Sequence, residues 1–293
     1  MPTTSPQPEL GRRPAVASPD DLTWLNIADA RTAFGLGPGA PLRGLADLLL
    51  RPPARRLAGE LAALDALVAA AGLQAGGAWI CGRRGVTVIV DGQPPPAAGP
   101  LLIAANHPGL LDAVALFACL PRPDLRVLAI RRPFLAALPS IAASILPVGE
   151  TAAERMAALR AGGRHLRGGG ALLTFPAGRI EPDPLARPGA LASLAGWSAS
   201  LGTLARLAGP VTVVPAIVAG VISPAALAHP LTRLRRRQAD REWLAAILQI
   251  ILPRLGRTTV RVRFGASIEA GAGEVGPRVA AAARRLIEEI AAP

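Results

Sequence analysis

The 293-residue sequence contains no lysine and no tyrosine, so all 32 of its basic side chains are arginines. Without lysine there is no Schiff-base amine and no phosphate-loop lysine, and without tyrosine there is no phenolic acid or base. Three histidines (His107, His165, His229) and two cysteines (Cys81, Cys119) are too few for a Cys-rich zinc site, and no H-E-x-x-H pair occurs, so no metal site is expected. The cysteines lie far apart in apolar stretches, which predicts two reduced, buried thiols and a reducing, cytoplasmic setting. Five Phe and four Trp leave few platforms for stacked bases, which argues against a nucleic-acid partner despite the net charge of +12. That charge accompanies an excess of Ala, Gly, Pro and Arg and is read as compositional drift. No uninterrupted apolar run reaches the roughly 18 residues of a spanning helix. Asn106, His107 and Asp112 break 98–121, and Pro139, Ser140 and Pro147 break 134–149. The opening MPTTSPQPEL lacks the basic-then-apolar pattern of a signal peptide. These absences predict a protein that is soluble or rests on a membrane without crossing it.

Hydrophobic residues make up 51% of the chain and charged residues 18%, the balance of a globular protein. Residues 1–20, rich in Pro, Ser and Thr, read as a flexible tail, and 21–84 as an N-terminal helical element. There Leu45, Leu48, Leu49, Leu57, Leu61, Leu64 and Leu67 recur at near-helical spacing, with Pro52 and Pro53 separating two helices. Either a helical hairpin packed on the main domain or a basic amphipathic element on a bilayer accounts for this pattern. Over 85–293 strands alternate with helices. Strands are predicted at 86–90, 101–105, 126–130, 171–175, 211–217 and 258–264, and helices at 151–167, 190–207, 240–255 and 274–291. The fold class is therefore α/β, a mostly parallel sheet flanked by helices, with an N-terminal helical hairpin.

The segment LLIAANHPGLLD (101–112) carries the chemistry. A buried strand runs into Asn106-His107-Pro108-Gly109 and a helix follows, so His107 belongs at the C-terminal edge of the sheet, where open α/β folds bind their ligands. Five positions apart, His107 and Asp112 meet only if His107 lies in the turn and Asp112 in the first turns of the helix. A carboxylate on one ring nitrogen then fixes the tautomer and leaves the other nitrogen to accept a proton, which makes the pair a general-base dyad.

N-H-P-G-L-L-D resembles the N-H-x-x-x-x-D motif of the lysophospholipid and glycerol-phosphate acyltransferase family. RRPFLAALPSIAASILPVG (131–149), FPAGRI (175–180) and VVPAI (213–217) resemble its three later blocks, in the family's order and within 85–220, the motif-bearing core. The resemblance implies transfer of a fatty acyl group from acyl-CoA or acyl carrier protein to the hydroxyl of a lysolipid-like acceptor. His107 would deprotonate the acceptor and Asp112 would orient His107. Asn106 and Gly109 would shape the turn, and Arg131, Phe175, Pro176, Gly178 and Arg179 would bind substrate. It implies no cofactor beyond the acyl donor, a lipid acceptor as partner, and peripheral attachment to the inner face of the membrane. The chain also departs from the pattern. Gly149 and Glu150 follow Pro147-Val148 where the family has an arginine, Ala177 replaces the glutamate of F-P-E-G, and Arg179 and Ile180 replace a threonine and an arginine. The phosphate grip is rewired, which points away from lysophosphatidate, and FPAG followed by Trp197 and LARLAG (204–209) resembles the hemolysin-like and ornithine-lipid branch more closely.

GWSAS (196–200) is no nucleophile elbow, because Ser200 stands where glycine is needed. GLGPG (35–39) follows no strand and fails as a dinucleotide fingerprint. His165 reads as an exposed helix end, His229 has no partner signal, and the five arginines of 231–241 read as a solvated face. The alternative function is a catalytically silent lipid- or acyl-carrier-binding protein with the same fold.

Overall fold

A computed structural model describes residues 18–37, 39–41, 43–197, 199–270 and 274–291. Of the tail expected over 1–20, residues 1–17 lie outside these, and Ser18 already caps a helix, α1 (Pro19–Phe34). The capping box is reciprocal. Asp21 N–H donates to Ser18 Oγ at 3.1 Å and Ser18 N–H to the Asp21 carboxylate at 3.0 Å. The next helix, α2 (Arg43–Arg84), runs through Pro52 and Pro53 and breaks instead at Gly72, where φ is 84° and ψ 175°. The prolines do not separate two helices, because the carbonyls they leave without a donor belong to Leu48 and Leu49, which face solvent. Among the described residues α2 is also long and apolar enough to cross a membrane by length and composition, contrary to expectation. Asp65 hides it from a search for uninterrupted runs. That aspartate is buried and accepts from Ser140 N–H at 3.2 Å and Ile141 N–H at 2.9 Å, while Leu64, Val68, Leu73, Ile80 and Cys81 face the core.

The α/β part follows as β1 (Val86–Gly92), β2 (Leu101–Ala105), α3 (Asp112–Cys119), β3 (Arg126–Ile130), two short helices α4 (Pro133–Ala136) and α5 (Pro139–Ala142), β4 (Ile145–Val148), α6 (Ala152–Arg167), β5 (Ala171–Thr174), α7 (Ala190–Ser193), α8 (Ser200–Ala208), β6 (Thr212–Ala219), α9 (Pro224–Leu227), α10 (Gln238–Ile251), β7 (Thr258–Phe264), β8 (Ile268–Glu269) and α11 (Val275–Ala291). One eight-stranded sheet has the order β1-β7-β6-β2-β5-β3-β4, with β8 beside β6. β6 is antiparallel to β7 and β8, and the other pairings are parallel. β4 was not anticipated. It forms the edge of the sheet, where Pro147 lacks only a donor that no neighbour needs. Central β6 accommodates Pro215 differently. Its outer side pairs with β8 at Thr212–Val213 and with β7 from Ala216 onward, so Pro215 falls in the gap.

The period-2 alternation of side chains divides the core. Leu101, Ile103 and Ala105 of β2, with Val214, Ala216 and Val218 of β6, pack under α2, α3 and α10. Leu102, Ala104 and Val213 pack on the opposite face against α6, α8 and α11. The helix expected over 190–207 is interrupted by a 3-10 turn, Leu194–Gly196, and by Trp197 in extended conformation. α2 approaches α3 closely through Gly77, where a Cβ would lie 2.7 Å from Ala118 N and Val114 O. That contact requires glycine and anchors the helix that begins with Asp112.

Candidate active site

Beyond Ala105 the main chain of β2 leaves the sheet, and the side chain of Asn106 continues the ladder in its place. Its amide donates to Val218 O at 2.9 Å and its carbonyl accepts from Val218 N–H at 2.7 Å, both in the core. The backbone can then turn outward at His107, beyond the C-terminal ends of β2 and β6. Asp112 is the first residue of α3 and is fully buried, with 0% exposure. His107 Nδ1 lies 2.6 Å from Asp112 Oδ2, the meeting expected of a turn histidine and a first-turn aspartate. The same oxygen accepts from Gly109 N–H at 3.1 Å, and Oδ1 accepts from Ala113 N–H at 2.6 Å. Phe175 stacks on the imidazole with ring centroids 4.6 Å apart and planes inclined by 29°. The His107 side chain is 28% exposed, and its Nε2 has no hydrogen-bond partner among the described residues. Burial by itself depresses the imidazole pKa, but the charge and hydrogen bond of Asp112, aided by Glu181, outweigh it and leave the pKa raised.

The sequence reading missed Glu181, Asp183 and Ser193, and gave Trp197 no part in the site. Glu181 N–H donates to His107 O at 2.8 Å, and its Oε2 accepts from His107 N–H at 3.0 Å. Its Oε1 accepts from Ser193 Oγ and from Trp197 Nε1, each at 2.9 Å. Burial pushes the Glu181 carboxyl up, against the hydrogen bonds of Trp197, Ser193 and His107 and the charge of His107. Asp183 accepts from Gly220 N–H at 2.9 Å and Val221 N–H at 2.8 Å and so holds the loop after β6. The available signal was E-P-D at 181–183, two carboxylates in a largely apolar chain, in the loop that follows β5.

Eight of the nine expected site residues gather at this edge. Asn106, His107, Gly109 and Asp112 form one wall, and Phe175, buried Pro176, Gly178 and Arg179 form the turn leaving β5. Gly178 has a φ of 60°, so glycine is required in that turn. Arg179 is exposed, and its guanidinium reaches within 3.0 Å of where a Cβ of Gly196 would stand, next to Trp197. Arg131 stands apart, at the end of β3, two strands from β2. It lines a groove of about 240 Å³ with Leu146, Pro147, Gly149, Glu154, Ala157, Ala158 and Ala161. Glu154, which accepts from Thr151 N–H at 3.0 Å, therefore stands where the sequence reading looked for a cation. His165 is not an exposed end. Its Nε2 lies 2.8 Å from Asp124 O and 3.0 Å from Ala171 O, so that nitrogen carries a proton and ties α6 to the sheet. His229 Nδ1 accepts from Leu231 N–H at 3.4 Å. Of the arginines in 231–241, Arg235 pairs with Asp240 at 3.1 Å and the Arg241 side chain donates to Arg235 O. Ser198 of GWSAS and Pro38 of GLGPG lie outside the described residues. Both cysteines are free thiols, Cys81 pushed up to about 11 and Cys119 to about 12 by burial, too high for a nucleophile at neutral pH. Among the described residues no group of three or more His, Cys, Asp or Glu could hold a metal ion.

No family model and no curated protein matches the chain. Among solved structures, the 1-acyl-sn-glycerophosphate (LPA) acyltransferase PlsC from Thermotoga maritima is similar over 94% of this chain and 99% of its own, at 15% identity and a TM-score of 0.47.

Proposed function

We propose that the chain is an acyltransferase that moves a fatty acyl group from acyl-CoA or acyl carrier protein to the hydroxyl of a lysolipid-like acceptor at a membrane surface. The observation that carries this reading is the 2.6 Å contact between His107 Nδ1 and a fully buried Asp112, with Nε2 free at the rim of the sheet. Asp112 favours the Nδ1–H tautomer, so the Nε2 lone pair accepts the acceptor's hydroxyl proton. The acceptor oxygen then bonds to the thioester carbonyl carbon. Collapse of the tetrahedral adduct breaks the carbon–sulfur bond, and the imidazolium returns its proton to the departing thiolate. Asp112 stabilises the imidazolium while it exists. No acyl-enzyme is needed, in keeping with the high thiol pKa values.

The membrane part of the proposal rests on α1 and α2. Leu45, Leu48 and Leu49 are exposed at i, i+3 and i+4, the latter two at 68% and 67%, and Arg51 lies over the exposed ring of Trp24 at 6.0 Å. Leu110, two residues before Asp112, packs in the cluster that the buried sides of α1 and α2 form with α10, so these two helices adjoin the site. For the acceptor, Gly149 and Glu150 stand where the resemblance places one phosphate-gripping arginine and Ile180 where it places another, which disfavours a phosphate dianion and suits a neutral or zwitterionic head.

The test is incubation with labelled acyl-CoA and acyl carrier protein against a panel of acceptors, including lysophosphatidate and a lyso-amino-acid lipid. Transfer that His107→Ala abolishes in a protein that still folds cooperatively, and that favours the uncharged or zwitterionic acceptors, is expected. Binding of acyl donor without transfer would establish the catalytically silent alternative. Preference for lysophosphatidate that Arg179→Ala removes would show the phosphate grip relocated to Arg179.

A further inference from the structure

We propose that Glu181 is a positioning residue for His107, gripping the backbone of the histidine whose ring Asp112 holds and setting the field in which that ring ionises. This rests on the reading of His107 as the base.

Glu181, in the loop after β5, brings a carboxylate to the backbone of His107. It is 1% exposed and bonds its neighbour reciprocally, backbone N–H to His107 O and Oε2 to His107 N–H. Two N–H donors converge on its two oxygens, His107 N–H on one and Trp197 Nε1 on the other, while Ser193 Oγ, 2.9 Å from the second oxygen, has a single proton that Ala190 O also takes at 2.7 Å. A carboxylate accepts an N–H on each oxygen, whereas a glutamine would present a donor to one of them. Among the described residues no arginine forms an ion pair with Glu181, so its charge is not cancelled locally.

Ser193 and Trp197 extend the device. They belong to α7 and the extended residue that interrupts the expected 190–207 helix, so the break in that helix delivers the indole N–H to Glu181. His107 is thus held by the ring through α3 and by the backbone through the loop after β5. The charged groups acting on His107 are Asp112 and Glu181, and the one acting on Glu181 is His107. Removing the Glu181 charge must therefore make the imidazolium easier to deprotonate.

The experiment is a titration of the ring signals of isotopically labelled protein. With three histidines in the chain, the His107 resonance is the one lost in His107→Ala. Glu181→Gln keeps an oxygen for His107 N–H but removes the charge. It is expected to lower the His107 midpoint and to move the acid limb of acyl transfer to lower pH by the same amount. Glu181→Ala is expected to lose about 10²-fold in kcat with little change in KM, because the turn is no longer held in register. An unchanged midpoint and limb in Glu181→Gln would overturn the inference, as would wild-type kcat in Glu181→Ala. Should the alanine variant fail to fold, the glutamine titration decides alone. Full transfer activity in His107→Ala would instead remove the proposed function and leave the ring titration standing as the test of Glu181.

Discussion

Asp112→Asn separates the charge of the dyad from its shape. The carboxylate accepts from His107 Nδ1 and Gly109 N–H on one oxygen and from Ala113 N–H on the other. An asparagine has one oxygen to offer, and keeping it toward His107 and Gly109 retains two bonds, whereas the flipped amide retains one. The favoured orientation therefore preserves the Nδ1–H tautomer and leaves Nε2 able to accept a proton. What is lost is the anion facing the imidazolium. Hydrogen bonds to charged groups are worth about 1.5–3 kcal/mol against about 1 for neutral ones, and a unit charge pair at close range in an effective dielectric near 20 adds up to about 4. A net loss of roughly 3–4 kcal/mol in the transition state corresponds to about 10²–10³ in kcat. Single-turnover transfer from a labelled thioester measures it across neutral pH. The acid limb should also move to lower pH, because burial then acts on His107 with less opposition. Wild-type turnover in Asp112→Asn, or an acid limb moved upward, would refute the reasoning.

Asn106→Ala leaves the buried N–H and C=O of Val218 without partners, each costing about 1–3 kcal/mol, so thermal denaturation should show a clear drop in Tm; an unchanged Tm would mean that water replaces the amide. The raised pKa of folded His107 means that its pairing with Asp112 stabilises the fold fully below the unfolded pKa and that this contribution is lost as pH rises through the folded value. Urea titrations at several pH values should find that slope in the wild type and not in His107→Ala. Replacing exposed Leu48 and Leu49 together by glutamate should release the protein from anionic vesicles in a sedimentation assay while leaving Tm in place, and undiminished sedimentation would remove α2 from the membrane contact.

The strands were legible by two patterns: β2 and β5, buried along their whole length, read as continuous apolar runs, and β7 alternates, with Val260, Val262 and Phe264 inward and Thr259 and Arg261 outward. Those at 101–105, 126–130 and 258–264 coincide with β2, β3 and β7. Where the structure differs, a contact distant in sequence decides. The 190–207 segment has a helical pattern throughout, yet it opens at Trp197, whose indole bonds to Glu181. Pro52 and Pro53 carry a strong local stop signal, but solvent at Leu48 and Leu49 makes the missing hydrogen bonds cheap, and the chain breaks at Gly72 instead. β4 and β8 are too short to show periodicity and exist only because β3 and β6 offer them an edge.

The same contrast of local and distant partners sorts the site. His107 and Asp112 were legible because a five-residue separation across a turn has few geometric solutions. Asn106 reads as a turn residue, while its partner lies 112 positions away; Glu181 reads as nothing in particular, and its partner is 74 positions away. Burial then supplies a criterion that the sequence does not, since a carboxylate removed from water needs donors or a cation. Among the described residues five acids are buried: Asp65, Asp112, Glu181, Asp183 and Glu242. Asp65 takes the N–H groups that begin α5, Asp183 takes those that follow β6, and Glu242 pairs with Arg187. The fold itself accounts for these three. Asp112 and Glu181 are the two that converge on one histidine, and packing alone gives no reason to bury two acids around a ring whose second nitrogen is left open. Proton transfer at that nitrogen does give one, because the imidazolium formed there needs a negative field and a fixed ring.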